Sequence, residues 1–430
     1  MSAKKPITIL LSALLLCGCG SGTSSGSGTS SSEGFEPKLD TETSGTIKVI
    51  GNYDNFEALD AAALSFQEYY PNVTVEYEKV DDYNTNLSSR LASDSETGLF
   101  MVNRYNFIRL PDLIDQVVDI STIGVDFTQI DENAYKGCYI DEKLIGIPLW
   151  YRYYGIVVNE DLLKEEGLEI PTNMSELEEC CEKLVEAGYV PLQQQMEMTT
   201  SLFLPLVMET AARDCTESEV ANILSGKDGS AEVMRPIFDT LLNFVNKGYM
   251  SIENMAEYED NYNAAILKFY EGETPFLLAS TSTVSGMKKR ESRSDAFQAN
   301  PFTYSFIYSP VGEKGAIVYK GDDTGFGINA NCSYMDLAEE FYRFIYTEEI
   351  LNQFSEVKGA PSVAANPDNE LYNSLNDAVI EDTVYFGDID DPTSLLQDVY
   401  YDAAVSLLEG EISTSEDAVR LMEQLAAEKE

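Results

Sequence analysis

The chain of 430 residues contains no histidine. Histidine is the usual proton shuttle near neutral pH and the commonest protein ligand for zinc, copper and non-haem iron. Its absence excludes hydrolases that are built on Ser-His-Asp or Cys-His pairs. An enzyme that works with two carboxylates, such as a glycosidase, is still compatible with the 74 acidic residues.

Basic residues are scarce as well, because 28 lysines and arginines face those 74 acids and the formal net charge is −46. A field of this sign repels nucleic acid and anionic lipid surfaces, so we expect neither as a partner. Tryptophan occurs once, as Trp150. Beyond the N-terminal segment, no apolar run approaches the ~20 residues that a membrane-spanning helix needs.

The N-terminal segment has the organisation of a secretory signal peptide, with two lysines ahead of a short apolar run that ends at Leu16. The following Cys-Gly-Cys resembles the bacterial lipobox, in which a small residue precedes the cysteine that is acylated. We therefore expect residues 1–18 to be a cleaved signal peptide and Cys19 to carry the lipid; an ordinary signal peptide cleaved nearby is the alternative. The Gly/Ser-rich residues 19–45 predict a flexible tether to the extracytoplasmic face of the cell membrane.

Five cysteines follow the lipobox-like segment, at positions 138, 180, 181, 215 and 332. Leu177, Cys181 and Leu184 share one face of a predicted helix, which indicates burial. We interpret the five mainly as small buried apolar groups, and a disulfide or metal role is the alternative.

From residue 46 onward, the hydrophobic pattern alternates between strand and helix. Residues 46–50 and 73–77 have strand patterns, and the apolar residues between them recur at three- and four-residue steps. Residues 175–187 predict a further helix, with Ser175 and Glu178 in capping-box spacing. This order favours an α/β fold, and the folded part exceeds the roughly 250–300 residues that one core supports, so we expect two lobes.

Four passages occur in an order that is typical of one protein family. They are residues 66–73 (FQEYYPNV), residues 146–148 (GIP) with residues 158–163 (VNEDLL) and Gly167, residues 269–273 (FYEGE), and residues 341–349 (FYRFIYTEE). Together, behind the lipobox-like segment, they resemble the family 1 extracellular solute-binding proteins of ABC importers, the group that includes maltose-binding protein.

The resemblance implies a two-lobe periplasmic-binding-protein-like fold whose chain crosses the hinge three times. The crossings are expected near residues 149–155, 308–312 and 346–350. Lobe 1 would hold residues 46–150 and 311–347, and lobe 2 residues 151–310 and 348–430. The lipoprotein would capture a carbohydrate, expected to be an oligosaccharide, between the lobes and deliver it to ABC transporter permease subunits. We expect a monomer with no catalysis, no cofactor and no metal.

Sugars present hydroxyl groups at their rim and C–H groups on their faces, so a sugar site needs aromatic faces with amides, carboxylates or guanidinium groups. Such side chains occur where the resemblance places the ligand loops and the first hinge crossing. The candidate ligand-binding residues are Asn52, Tyr53, Asn103, Arg104, Trp150, Tyr151, Tyr153, Gln194, Thr281 and Asp323. Alternation along a strand points Tyr151 and Tyr153 one way and Tyr154 the other.

Several alternatives stay open at this stage. A non-sugar solute, a surface glycosidase with two carboxylates or an adhesive lipoprotein would also fit the composition. With Trp150 as the single tryptophan, stacking falls to tyrosine and phenylalanine, which weakens the case for a long oligosaccharide. Asp388, Asp390 and Asp391 resemble part of a calcium loop but lack the glycine and the terminal glutamate of an EF-hand, so we interpret them as a solvated turn.

Overall fold

The computed structural model describes residues 34–102, 111–259, 263–385 and 393–429. Its strands belong to two large sheets and one small hairpin. The strands are β1 (Ser44–Gly51), β2 (Asn72–Lys79), β3 (Thr97–Val102), β4 (Tyr139–Ile140), β5 (Lys143–Leu144), β6 (Ile147–Pro148), β7 (Tyr151–Asn159), β8 (Leu192–Gln193), β9 (Phe276–Ser280), β10 (Tyr304–Tyr308), β11 (Ala316–Asp322), β12 (Gly325–Ile328) and β13 (Ile380–Tyr385).

Helices cover both sheets. The α-helices are α1 (Glu57–Phe66), α2 (Tyr83–Ser93), α3 (Glu132–Lys136), α4 (Glu160–Glu165), α5 (Met174–Glu186), α6 (Met196–Thr200), α7 (Leu204–Asp214), α8 (Glu217–Leu224), α9 (Arg235–Asn246), α10 (Ile252–Glu259), α11 (Ala264–Phe269), α12 (Thr281–Val284), α13 (Met287–Glu291), α14 (Asp295–Ala299), α15 (Met335–Ile345), α16 (Glu348–Lys358), α17 (Thr393–Leu408) and α18 (Ser415–Lys429). Short 3₁₀ helices span Pro111–Gln116, Ile120–Thr122, Phe127–Gln129, Ser230–Met234 and Glu370–Asp377.

The first sheet has the strand order β2-β1-β3-β12-β6. β1 is parallel to β2 and β3, and β12 is antiparallel to β3 and β6. The predicted strand–helix–strand unit is confirmed, because α1 lies between β1 and β2 and buries Leu59, Ala62 and Phe66 at helical spacing. α15 buries Leu337 and Phe341 against the same core, as its pattern predicts.

The second sheet has the order β13-β11-β7-β9-β8, with β10 also paired to β7. β7 is its central strand and is antiparallel to β9, β10 and β11. Its two faces serve different cores: Tyr151 and Tyr153 belong to the core shared with the first sheet, whereas Tyr154 and Ile156 belong to the second core. The alternation predicted for this tyrosine-rich strand is therefore confirmed, as is the α/β fold class.

The chain passes between the two sheets at three places. It leaves the first sheet after β6, returns between β11 and β12 at residues 323–324, and leaves again between α16 and β13. The first passage lies between β6 and β7, beside the expected crossing near residues 149–155. After the second expected crossing, near residues 308–312, the chain continues into β11, which pairs with β7 and β13 of the second sheet. After the third, near residues 346–350, α16 packs on α1 beside the first sheet. The chain therefore changes sheets later than expected at both places.

Two details depart from the sequence expectations: the start of α5 and the N-terminal end of the folded chain. α5 begins after Asn173, whose Oδ1 accepts the Glu176 N–H at 3.1 Å, so the cap lies two residues before Ser175. Residues 35–39, within the range expected as tether, pack on the first sheet's helices. The Phe35 ring lies 5.1 Å from that of Phe344, and the Lys38 N–H donates to Glu340 at 2.6 Å.

No helix in the described ranges is both long enough and apolar enough to cross a bilayer. Within the same residues, no disulfide joins the five cysteines at positions 138, 180, 181, 215 and 332, of which the first three are buried. Cys19 and the aspartates at 388, 390 and 391 lie outside the described residues.

Candidate functional site

A pocket of about 310 Å³ opens at one edge of the second sheet. β8 and β9 are parallel, and both end at this edge, where ligand sites of α/β sheets usually lie. The segments that follow them supply part of its wall, and β7 and α17 supply the rest. The lining residues are Arg152, Tyr154, Glu197, Met198, Ser280, Ser282, Thr283, Gln397 and Tyr401.

Arg152 is the cation of the pocket, and Asp323 holds it in place. Nη2 of Arg152 lies 3.3 Å from Oδ2 of Asp323, whose side chain is largely buried. Burial alone would lower the pKa of Arg152, but Asp323, together with Tyr154 and Tyr53, more than offsets this effect and the pKa is raised. The guanidinium therefore stays charged, with its donors fixed beside the pocket.

Tyr53 connects this ion pair to the first sheet. Its phenolic oxygen lies 3.3 Å from Oγ1 of Thr324, and its backbone N–H donates to the Tyr77 hydroxyl at 2.8 Å. Burial raises the pKa of Tyr53 to about 12, so the hydroxyl is neutral and can donate. Tyr53 and Asp323, both predicted from the sequence, are thus brought together around Arg152.

Tyr154 presents the aromatic surface of the pocket. Its ring stacks on that of Tyr319 with the centroids 5.9 Å apart and the planes at 14°. Burial raises the pKa of Tyr154. Tyr401 lines the same pocket from α17, so two phenol groups and two rings face one space.

Tyr151 and Tyr153 lie on the opposite face of β7, away from the pocket. The Tyr151 hydroxyl donates to Asp131 Oδ2 at 2.7 Å, and the Lys320 ammonium lies 3.6 Å from the Tyr151 ring centroid. The Tyr153 ring meets that of Tyr308 edge-on at 5.1 Å. These contacts hold both rings inside the protein.

Trp150 is only 2% exposed and does not line the pocket. Its ring meets that of Phe56 edge-on at 6.3 Å. The Lys358 ammonium lies 5.4 Å from the Trp150 ring centroid and 4.4 Å from that of Tyr53. A cation already covers these two aromatic faces, which are therefore not open for stacking on a solute.

Gln194 and Thr281 adjoin the pocket in sequence but turn inward. Nε2 of Gln194 donates to the Leu278 carbonyl at 3.1 Å. Oγ1 of Thr281 accepts the Tyr153 N–H at 3.2 Å and lies 3.3 Å from the Tyr151 carbonyl. Both side chains bond to the backbone of neighbouring strands. The nearby residues Glu197, Ser280 and Ser282 line the pocket instead.

The remaining predicted residues are not brought to the pocket. Asn52 is exposed in the loop after β1 and does not line it. Asn103 and Arg104 lie outside the described residues. The pocket residues that the sequence reasoning missed are Arg152, Tyr154, Glu197, Met198, Ser280, Ser282, Thr283, Gln397 and Tyr401. The alternation of β7 could have indicated Arg152 and Tyr154, since these two share one face of the strand. The pattern of α17 did not indicate that Gln397 and Tyr401 would line a pocket.

The family model of the bacterial extracellular solute-binding proteins matches residues 50–350. The chain belongs to this family. The match runs from the end of β1 through α15 and hence includes most of the pocket, but α17, which carries Gln397 and Tyr401, lies beyond it.

Solved structures show the same two-lobe fold. A family 1 extracellular solute-binding protein from Bifidobacterium longum subsp. infantis matches with a TM-score of 0.64 at 18% identity, over 90% of this chain and 99% of that one. The apo form of RafE from Streptococcus pneumoniae matches with a TM-score of 0.68 at 15% identity, over 91% and 99%. A sugar transporter from Bacillus licheniformis, in complex with stachyose, matches with a TM-score of 0.61 at 17% identity, over 88% and 98%.

A comparison with curated proteins found no match. The family of solute-binding proteins and the two-lobe fold are nevertheless shown, and both agree with the resemblance seen in the sequence.

Proposed function

We propose that this solute-binding protein captures a carbohydrate in the Arg152–Tyr154 pocket and delivers it to the permease of an ABC importer. The observation that carries the proposal is the chemistry of the pocket wall. Two tyrosine rings lie beside a guanidinium, a carboxylate, an amide and several hydroxyl groups. A pyranose needs this combination, because its C–H faces stack on rings while its hydroxyl groups bond to planar polar groups.

Likeness to sugar-binding relatives supports the same solute class. RafE in complex with raffinose and the Bacillus licheniformis protein with stachyose are both similar to this chain over its length. The pocket lies at the lower end of the roughly 300–1,000 Å³ range of small-molecule sites. We therefore infer that it holds the terminal rings of an oligosaccharide, with the rest of the solute extending out of the cleft.

Capture would proceed by closure of two lobes without catalysis. The passages of the chain between the sheets support moving two lobe boundaries from the expected positions, to residues 323–324 and to the segment between α16 and β13. Lobe 1 would then contain residues 35–149 and 325–358, which include the first sheet, and lobe 2 would contain residues 150–322 and 359–429. Arg152 and Asp323 sit at one of these passages, so closure would change their surroundings.

Anchoring through Cys19 would keep the monomeric protein near its permease. The support is the lipobox-like sequence and the Gly/Ser-rich segment behind it. A lipid confines the binder to the membrane surface, which raises the effective concentration at which it meets the transporter.

Titration calorimetry tests the solute class. A panel of neutral mono-, di- and oligosaccharides would be titrated into the purified protein, beside peptides and polyamines. We expect saturable binding of at least one sugar and a lower affinity for monosaccharides than for the matching oligosaccharide. Binding of a peptide or polyamine with no response to any sugar would refute the carbohydrate proposal.

A further inference from the structure

Arg290 and Arg293, near α13, differ from the other described arginines in having no acidic partner among the residues that the structure describes. The other arginines in the described ranges all form ion pairs: Arg90, Arg152, Arg213, Arg235, Arg343 and Arg420. Arg290 and Arg293 form none with the residues that the structure describes. In a chain with 74 acids and 28 bases, two neighbouring guanidinium groups without a carboxylate are unexpected.

Both arginines line one groove. It has a volume of about 480 Å³ and is bordered by Asn263, Leu267, Gly286, Arg290 and Arg293. The Arg293 N–H donates to the Arg290 carbonyl at 3.0 Å, so the two residues are one helical turn apart. Leu267 is 41% exposed and adds an apolar surface. The groove shares no lining residue with the Arg152–Tyr154 pocket.

The Arg290 guanidinium is oriented by Asn263 and occupies the space beside Gly286. Its Nε donates to Asn263 Oδ1 at 2.7 Å, which leaves the two terminal amino groups for another acceptor. One of these amino groups lies over Gly286, where an added Cβ would collide with it. The nearest acid in sequence, Glu291, instead accepts the Tyr304 hydroxyl. Asn263 thus orients the side chain, and among the described acids none forms an ion pair with it.

We propose that this groove binds a phosphate group carried by a small soluble molecule with a short apolar part. Guanidinium groups bind phosphate and carboxylate through paired N–H donors. Two unpaired guanidinium groups balance the charge of a phosphate monoester, about −1.5 to −2 near neutral pH, better than that of a single carboxylate. Leu267 would contact the apolar part.

A phosphate on a lipid headgroup has the same chemistry but fits the rest of the protein less well. The net charge of −46 repels an extended anionic surface, whereas a small anion meets only the local field of the groove. The soluble source is therefore the one favoured by the charge distribution.

The test measures phosphate binding by the full chain in a phosphate-free buffer, by ³¹P line broadening of inorganic phosphate and of phenyl phosphate. We expect saturable binding of both, tighter for phenyl phosphate. The double variant Arg290→Gln/Arg293→Gln should bind at least ten-fold more weakly. Gly286→Ala, which displaces the guanidinium without changing the charge, should weaken binding about three-fold or more.

The matched control is Arg235→Gln/Arg420→Gln, which removes two positive charges elsewhere and should bind like the wild type. Melting curves would establish that each variant is folded. Absence of saturable binding by the wild type, or equal weakening in both double variants, would overturn the proposal.

Vesicles separate the two sources of phosphate. The Cys19→Ser protein, which carries no lipid, would be sedimented with phosphatidylglycerol or phosphatidylcholine vesicles. We expect it to stay in solution with both. Co-sedimentation with phosphatidylglycerol alone, lost in Arg290→Gln/Arg293→Gln, would assign the groove to a lipid headgroup and reject the soluble ligand.

Discussion

Nη2 of Arg152 lies 3.3 Å from Oδ2 of Asp323, and this ion pair joins the wall of the candidate pocket to the segment between β11 and β12. Arg152 belongs to the central strand of the second sheet, whereas Asp323 precedes a strand of the first. A solute that bonds to Arg152 would therefore contact the residue pair at which the two sheets are connected.

Replacement of Arg152 tests whether this cation binds the solute. Arg152→Gln is expected to weaken sugar binding about ten- to one-hundred-fold, because hydrogen bonds that involve a charged group contribute roughly 1.5–3 kcal/mol. Titration calorimetry on the folded variant measures the change. Arg420→Gln, an exposed arginine paired with Glu416, is the control and should keep the wild-type affinity. Equal affinities for all three proteins would remove Arg152 from the site.

Two neighbouring aromatic residues are predicted to have different effects, because Tyr154 in β7 lines the pocket whereas Trp150, just before β7, does not. Tyr154→Ala should weaken sugar binding about ten-fold through the loss of a stacking surface. Trp150→Ala should instead lower the free energy of unfolding by about 3–5 kcal/mol, because it removes a fully buried aromatic side chain. Calorimetry and urea unfolding of both variants separate the two effects. A larger affinity loss for Trp150→Ala would place Trp150 in the site, as first predicted from the sequence.

The buried faces of the helices could be predicted from the sequence, because the periodicity of apolar residues reports burial directly. The spacing of apolar residues in α1 and α15 predicts the faces that these helices bury. The passages between the sheets were less predictable, since β11 has the same apolar pattern whichever sheet it joins. Its pairing with β7 and β13 depends on contacts that are distant in sequence.

For the candidate site, the sequence located strand ends but not the direction of each side chain. Strand ends can be located from hydrophobic patterns, and the structure places Tyr53 beside Thr324 and Asp323 beside Arg152. The direction of each side chain was not available. Gln194 and Thr281 lie at the right strand ends but bond to the backbone of neighbouring strands. A one-residue change along a strand reverses the direction of a side chain.

Acid stability provides a test that is independent of any ligand. Asp94 accepts hydrogen bonds from Lys48 at 3.0 Å and from Thr97 at 3.1 Å. Burial alone would raise the pKa of Asp94, but these bonds and that from the Glu96 N–H lower it to about 2, from an ordinary value of 3.8. The carboxylate therefore stabilises the fold fully above about pH 4, and this stabilisation is lost as the pH falls to about 2.

Asp94→Asn should accordingly be less stable than the wild type at pH 7, by about 1–3 kcal/mol. The difference should be constant down to about pH 4 and shrink between pH 4 and pH 2, because the wild-type carboxylate is protonated there. Urea unfolding across this range measures it. Asp54→Asn, which removes a fully exposed ion pair with Lys79, is the control and should show a much smaller difference at every pH. A difference for Asp94→Asn that does not depend on pH would contradict the assignment.

Anchoring is tested by the two cysteines of the lipobox-like segment, which provide a matched pair of variants. Cys19→Ser should release the protein from the membrane fraction and abolish incorporation of a labelled fatty acid, whereas Cys17→Ser should leave both unchanged. Immunoblots of membrane and medium fractions, with the labelled fatty acid in the growth medium, measure the result.

Sugar affinity should be the same in the two cysteine variants, because the pocket residues all lie between Arg152 and Tyr401. The packing of Phe35 against Phe344 gives a further reason, since this contact fixes the N-terminal end of the described chain on the first sheet's helices. Retention of Cys19→Ser in the membrane fraction, with the fatty acid label still present, would show that the lipid is attached elsewhere.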